Sequence, residues 1–200
     1  MLNCLNLSPE DMIISNTEEN YFPGIFKKTI HAFDYVNKKY DYKHILRTNL
    51  SSFFIIDKLI ELNNKIPTKN IYYGCGRKRM HCGAAIWFSR DVIEYIILNK
   101  EKGISIKCYD DWAIFKIIQQ SKYYYKNLGI ELKKTKTPRF DVVKKDILTY
   151  ERTWEKFIKH INEGNHYHIR VVNGTSKSSI DERINYTKIT KKLTEYFYSV

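Results

Sequence analysis

Cys82-Gly83-Ala84-Ala85-Ile86-Trp87-Phe88-Ser89-Arg90-Asp91-Val92-Ile93-Glu94-Tyr95-Ile96 is the stretch on which the fold turns. Gly83 to Phe88 runs from small residues to large apolar ones without a polar break, as a strand covered on both faces does. Ser89 is a good N-cap, and apolar residues then recur at helical spacing, which predicts a helix over Arg90–Asn99. A buried strand feeding straight into an amphipathic helix is the repeating unit of an α/β protein.

The same alternation extends both ways. Upstream, Asp11–Ser15 reads as a short strand and Tyr21-Phe22-Pro23-Gly24 as loop punctuation. Ile25, Phe26, Ile30, Phe33, Tyr35 and Val36 predict an amphipathic helix over Ile25–Lys38. His44–Thr48 reads as a strand. Ser51-Ser52 suggests the cap of a helix over Phe53–Asn63. Ile71–Tyr73 reads as a strand and Gly74–Arg79 as a basic loop. Downstream, Gly103 is expected to end a segment, Asp111–Gln120 to be a helix, and Lys133–Arg139 a basic loop. His166–Val172 alternates like a strand, and Asp181–Tyr198 reads as the last helix. The pattern predicts one domain over 1–200, a mostly parallel central sheet flanked by helices.

The chain has 200 residues, 43% of them hydrophobic, enough for one packed core. Its net charge of +12 suits polyanionic partners, although lysine is also a routine surface residue. Cys4, Cys75, Cys82 and Cys108 fit no zinc spacing and are read as reduced thiols; a Cys75–Cys82 disulfide is the other reading. No apolar run approaches a membrane span and the N-terminus has no signal-peptide pattern, so a soluble cytoplasmic protein is expected. The sequons at Asn49, Asn173 and Asn185 would then stay unmodified.

Several segments, in order, resemble the fringe and β-1,3-galactosyltransferase group of GT-A glycosyltransferases. Glu19-Asn20-Tyr21 through Lys28-Thr29 resembles the family's acidic-x-Tyr segment and the Lys-Thr pair opening a helix. Tyr40–Phe54 lies where the family has a strand and an acidic metal-binding triplet. Cys82–Ile96 resembles its small-residue strand followed by Leu-Ser-Arg. Tyr109–Ile118 resembles its Glu-Asp-Val motif, and Tyr167–Asn173 continues the match. The resemblance covers residues 11 to 120 most clearly. It implies a GT-A-like mixed, mostly parallel sheet, shortened at the N-terminus, since the family's nucleotide-holding front has little counterpart before Glu19.

Inverting sugar transfer needs a carboxylate to take the acceptor proton and positive charge to hold the leaving diphosphate. The resemblance implies that Asp111, with Asp110 beside it, supplies the base. Read from the residues alone, the same pair caps a helix and complements its dipole. The family's metal triplet is replaced by Asn49-Leu50-Ser51, which offers Mn²⁺ or Mg²⁺ only neutral oxygens. No metal or cofactor requirement is therefore expected, or else the site has decayed. Arg47, His168 and Arg170 are then the candidates to neutralise a nucleotide-sugar diphosphate, with Asn49 and Ser51 near it. Gly83, Ala84 and Ala85 would let the backbone approach a sugar ring closely. His168 and Arg170 also read as the polar face of an edge strand. Gly83 and Ala84 also read as close packing, and Trp87 as core. Tyr72, Tyr73 and Trp112 are the candidate sugar-stacking rings.

The expected function is transfer of a hexose or N-acetylhexosamine from a nucleotide-sugar to a glycan or protein acceptor. Two alternatives stand beside it. One is a catalytically inactive carbohydrate-binding remnant. The other is a basic nucleic-acid-binding module, suggested by the charge, Arg77-Lys78-Arg79 and Lys133-Lys134, but lacking any nucleic-acid motif.

Overall fold

The computed structural model describes residues 16–18, 20, 22–49, 52–77, 80–121, 139–142, 147–163, 166–173 and 180–198. In chain order these form α1 (Gly24–Lys39), β1 (His44–Thr48), β2 (Ser52–Phe54), α2 (Ile56–Lys65), β3 (Tyr72–Arg77), β4 (Met80–Ser89) and α3 (Arg90–Leu98). Then follow α4 (Lys100–Ser105), α5 (Asp110–Gln119), β5 (Arg139–Val142), α6 (Ile147–Glu163), β6 (His168–Asn173) and α7 (Ile180–Tyr198). The chain is a mixed α/β protein. The expected strand over Asp11–Ser15 lies outside the described residues.

The strands form two three-stranded sheets, ordered β1-β4-β3 and β2-β6-β5, rather than one mostly parallel sheet. β3 and β4 are separated only by Lys78 and Arg79, a connection that an antiparallel hairpin permits and a parallel crossover does not. β2 runs antiparallel to β6, with Phe53 opposite Ile169, while β5 runs parallel to β6.

The chain divides into two compact units. The first, Met1–Ile45 with Thr68–Tyr72 and Phe88–Ile130, is built on helices. In α1, Phe26, Ile30 and Phe33 are buried at helical spacing. α1 packs against α3, in which Val92, Ile93 and Ile96 are buried, and against α5, in which Ile114, Ile117 and Ile118 are. Phe33 meets Phe88 edge-on at 5.3 Å. Gly103 does not end a segment. It sits buried inside α4, where a Cβ would drive into the Phe26 ring.

The second unit, Leu46–Pro67 with Tyr73–Trp87 and Glu131–Val200, has its core around β2 and β6. Phe53, Ile55, Ile158, Ile161, Ile169, Ile189 and Leu193 form one buried cluster. This explains why the expected helix over Phe53–Asn63 starts late. Phe53 is drawn into the sheet, Ile55 N–H donates to Tyr167 O, and the helix begins at Ile56. The basic loop expected from Gly74 is strand as far as Arg77, and Arg139 opens β5 rather than closing a loop.

Candidate functional site

Most of the residues expected on the donor side belong to the second unit, and the hydrogen bonds there join them into one cluster. At the end of β1 the Arg47 guanidinium donates to the Gly83 carbonyl. Thr48 Oγ1 donates to Ala84 O at 2.9 Å. Ser52 Oγ lies 2.8 Å from the same carbonyl, 3.0 Å from Asn49 Oδ1 and 2.9 Å from His168 Nε2. His168 is buried on β6 and stacks on Phe54 at 4.9 Å. A hydroxyl has one proton to give and two lone pairs to receive. The contacts are satisfied together when His168 Nε2–H donates to Ser52, Ser52 donates to Ala84 O and the Asn49 amide turns its NH₂ toward Ser52.

The small residues of β4 therefore have a local role. Gly83 leaves room for Arg47, since a Cβ there would collide with the guanidinium. The Gly83 and Ala84 carbonyls are taken up by side chains of Arg47, Thr48 and Ser52. Arg170 is placed opposite Ser52 and Arg139 in the sheet register. Ser51, like Leu50, lies outside the described residues. Ser52, at the centre of the cluster, was not among the expected site residues. In the sequence Ser51-Ser52 suggests a helix cap, and only the β2–β6 pairing reveals the position of Ser52 beside His168.

The acidic pair belongs to the first unit. Asp110 opens α5, is 3% exposed, and accepts a hydrogen bond from Thr29 Oγ1 at 2.9 Å. Asp111 is half-buried, and its Oδ1 accepts the Trp112 backbone N–H at 2.8 Å. Two adjacent carboxylates are thus given different surroundings: one is built into the helix packing and the other is accessible. Both lie in the first turn of α5, where the helix dipole favours negative charge.

The expected stacking rings part company. Tyr72 is 3% exposed and packs against Phe88, so it is core and no sugar platform. Trp87 is core as well, as expected. Tyr73 is half-buried and tilted toward His81, with 6.3 Å between ring centroids. Trp112 is exposed. Cys108 is a free, half-buried thiol. The side chains of Cys75 and Cys82 fall outside the described residues, as do Cys4, Lys78, Arg79, Lys133 and Lys134.

Among the described residues no group of three or more His, Cys, Asp or Glu side chains is placed to hold a metal ion. No described helix is long and apolar enough to cross a membrane. No family model matches the chain, and neither a curated protein nor a solved structure does.

Proposed function

We propose that the chain is a divergent GT-A-like domain that moves a hexose or N-acetylhexosamine from a nucleotide-sugar to a glycan or protein acceptor, with inversion and without a metal. The observation that carries this reading is the hydrogen-bonded cluster of Arg47, Asn49, Gly83, Ala84 and His168. These residues come from segments distant in sequence, each lying within a stretch that resembles the same family. In this reading Arg47, His168 and Arg170 neutralise the leaving diphosphate, and Asp111 takes the acceptor proton. Asp110 holds the turn that presents Asp111.

One observation favours the alternative of a carbohydrate-binding remnant. The Arg47 guanidinium is engaged by the Gly83 carbonyl, and Asn49 supplies no carboxylate. A nucleotide-sugar thermal-shift panel separates the readings. A donor at 100 times its Kd adds about 2.7 kcal/mol to the stability of the folded chain. The transferase reading expects this shift from at least one nucleotide-sugar, unchanged by EDTA or by Mn²⁺. No shift with any nucleotide-sugar or nucleoside diphosphate would overturn it, and a shift that requires Mn²⁺ would overturn its metal independence.

A further inference from the structure

We propose that Phe22, Tyr109 and Trp112 form the platform on which a neutral acceptor sugar stacks beside Asp111; as an acceptor site it rests on the assignment of Asp111 as base. Single exposed apolar side chains are ordinary, whereas grouped ones mark interaction sites. Tyr109 is 54% exposed, Phe22 43% and Trp112 37%. Phe22 and Tyr109 meet edge to face, with centroids 5.0 Å apart. Tyr109 immediately precedes α5 and Trp112 lies in its first turn, so Asp110 and Asp111 fall between the two rings in the chain.

The Trp112 ring and the backbone of Tyr109 are braced before any ligand arrives. Trp112 leans on the buried Phe115 at 5.5 Å, and Lys116 Nζ lies 5.1 Å from its centroid. Tyr109 is fixed at its backbone, where its carbonyl accepts Ala113 N–H at 2.9 Å. Preorganised rings lose little freedom on binding, which favours even small ligands.

The surrounding charges select the occupant. A wholly apolar partner would strip water from the Asp111 carboxylate, which is costly. A polyanion such as single-stranded nucleic acid, which also stacks on aromatic rings, would meet Asp111. A cation would suit the rings and the carboxylate, but Lys116 already holds its ammonium over Trp112. A pyranose meets all the conditions. Its C–H face covers an aromatic ring, and its hydroxyls donate to the carboxylate.

The test is saturation-transfer NMR on the full chain. The probes are methyl β-galactopyranoside, methyl β-glucopyranoside and methyl N-acetyl-β-glucosaminide. At least one should take up saturation, with affinity falling about tenfold in Tyr109→Ala and in Trp112→Ala. Tyr109→Phe should keep most of it, and Tyr109→Ala should melt as the parent does because the ring is exposed. No saturation of any probe, or unchanged affinity in both alanine variants, overturns the platform. The acceptor KM gives the second readout. Transfer with an acceptor KM unchanged in Tyr109→Ala overturns the platform and leaves the transferase reading standing. Binding that depends on Tyr109, in a chain that transfers from no donor, sustains the ring platform as a sugar site and removes the base.

Discussion

Thr29 Oγ1 lies 2.9 Å from Asp110 Oδ2, tying α1 to the start of α5. Thr29 Oγ1 is also 3.0 Å from Ile25 O, but a hydroxyl has one proton and a carboxylate is the stronger acceptor. The bond fixes the first turn of α5, and with it the position of Asp111. Thr29→Val removes the donor at nearly constant volume. It should destabilise the chain by about 1–3 kcal/mol, because a buried carboxylate loses a hydrogen bond. Asp110→Asn keeps an acceptor oxygen and should cost less. Urea denaturation of both variants and the double variant gives the coupling, and a coupling near zero would show that the contact does not stabilise the fold.

Gly103 sets a contest between helix propensity and packing. Alanine is the better helix former by about 1 kcal/mol. At this position, however, the new methyl would enter the ring of Phe26, which is fully buried. Overpacking of this kind costs about 1–3 kcal/mol. Gly103→Ala should therefore destabilise, and Phe26→Leu should recover part of the loss when combined with it. A Gly103→Ala variant more stable than its parent would show that α4 shifts freely over α1.

Tyr42 gives the fold an alkaline limit. Burial pushes its phenol up from 10.0 to about 12, helped by Glu94 and opposed by Arg90, whose guanidinium lies 5.1 Å from the ring. A group whose folded pKa is raised contributes its full stability below the unfolded value, here about 10, and loses it as pH climbs toward about 12. Tyr42→Phe also loses the hydrogen bond to Asn37 Oδ1 at 2.9 Å, so it should be the less stable protein at neutral pH. The difference should shrink between about pH 10 and about pH 12, measured by denaturant melts. A difference constant across that window would show that Tyr42 ionises as freely as in the unfolded chain.

Long periodic segments were legible in the sequence, and short or ambiguous ones were not. α1, α3, α5 and α7 lie within a residue of expectation because their apolar faces repeat over several turns. β2 spans Ser52–Phe54, too short for any period to show. In the sequence Ser51-Ser52 resembles a cap, but Ser52 turns its hydroxyl to Ala84 O instead. Ser89 has the extended backbone of an N-cap, yet its hydroxyl accepts Ile71 N–H and donates to Asp91. α6 was missed although Trp154, Phe157, Ile158 and Ile161 carry a helical spacing. At the candidate site, residue type makes Arg47 and His168 candidates and the resemblance adds Asn49, but type cannot tell a core tyrosine from a surface one. Tyr72 is buried and Tyr109 is exposed, a distinction that only the packing makes.

Asp111→Asn decides the catalytic assignment. Asn keeps the shape of Asp and can still accept the Trp112 N–H, now found at 2.8 Å from Oδ1, so the helix start should be preserved. In the first turn of α5 it gives up only the charge–dipole attraction, about 0.3–1 kcal/mol, so if Asp111 merely supports the helix, turnover should be nearly unchanged. If Asp111 is the base, the amide cannot take the acceptor proton. General-base catalysis is worth about 10²–10⁴-fold, and turnover should fall by that factor. Donor affinity should change little, because the donor is assigned to Arg47, His168 and Arg170. Asp110→Asn is the control, since Asp110 is buried against Thr29 and should alter stability more than chemistry. Transfer by Asp111→Asn within a few-fold of the parent would remove it as the base. Loss of turnover in Asp110→Asn alone, with the fold intact, would move the base by one residue and make Thr29 its positioning partner.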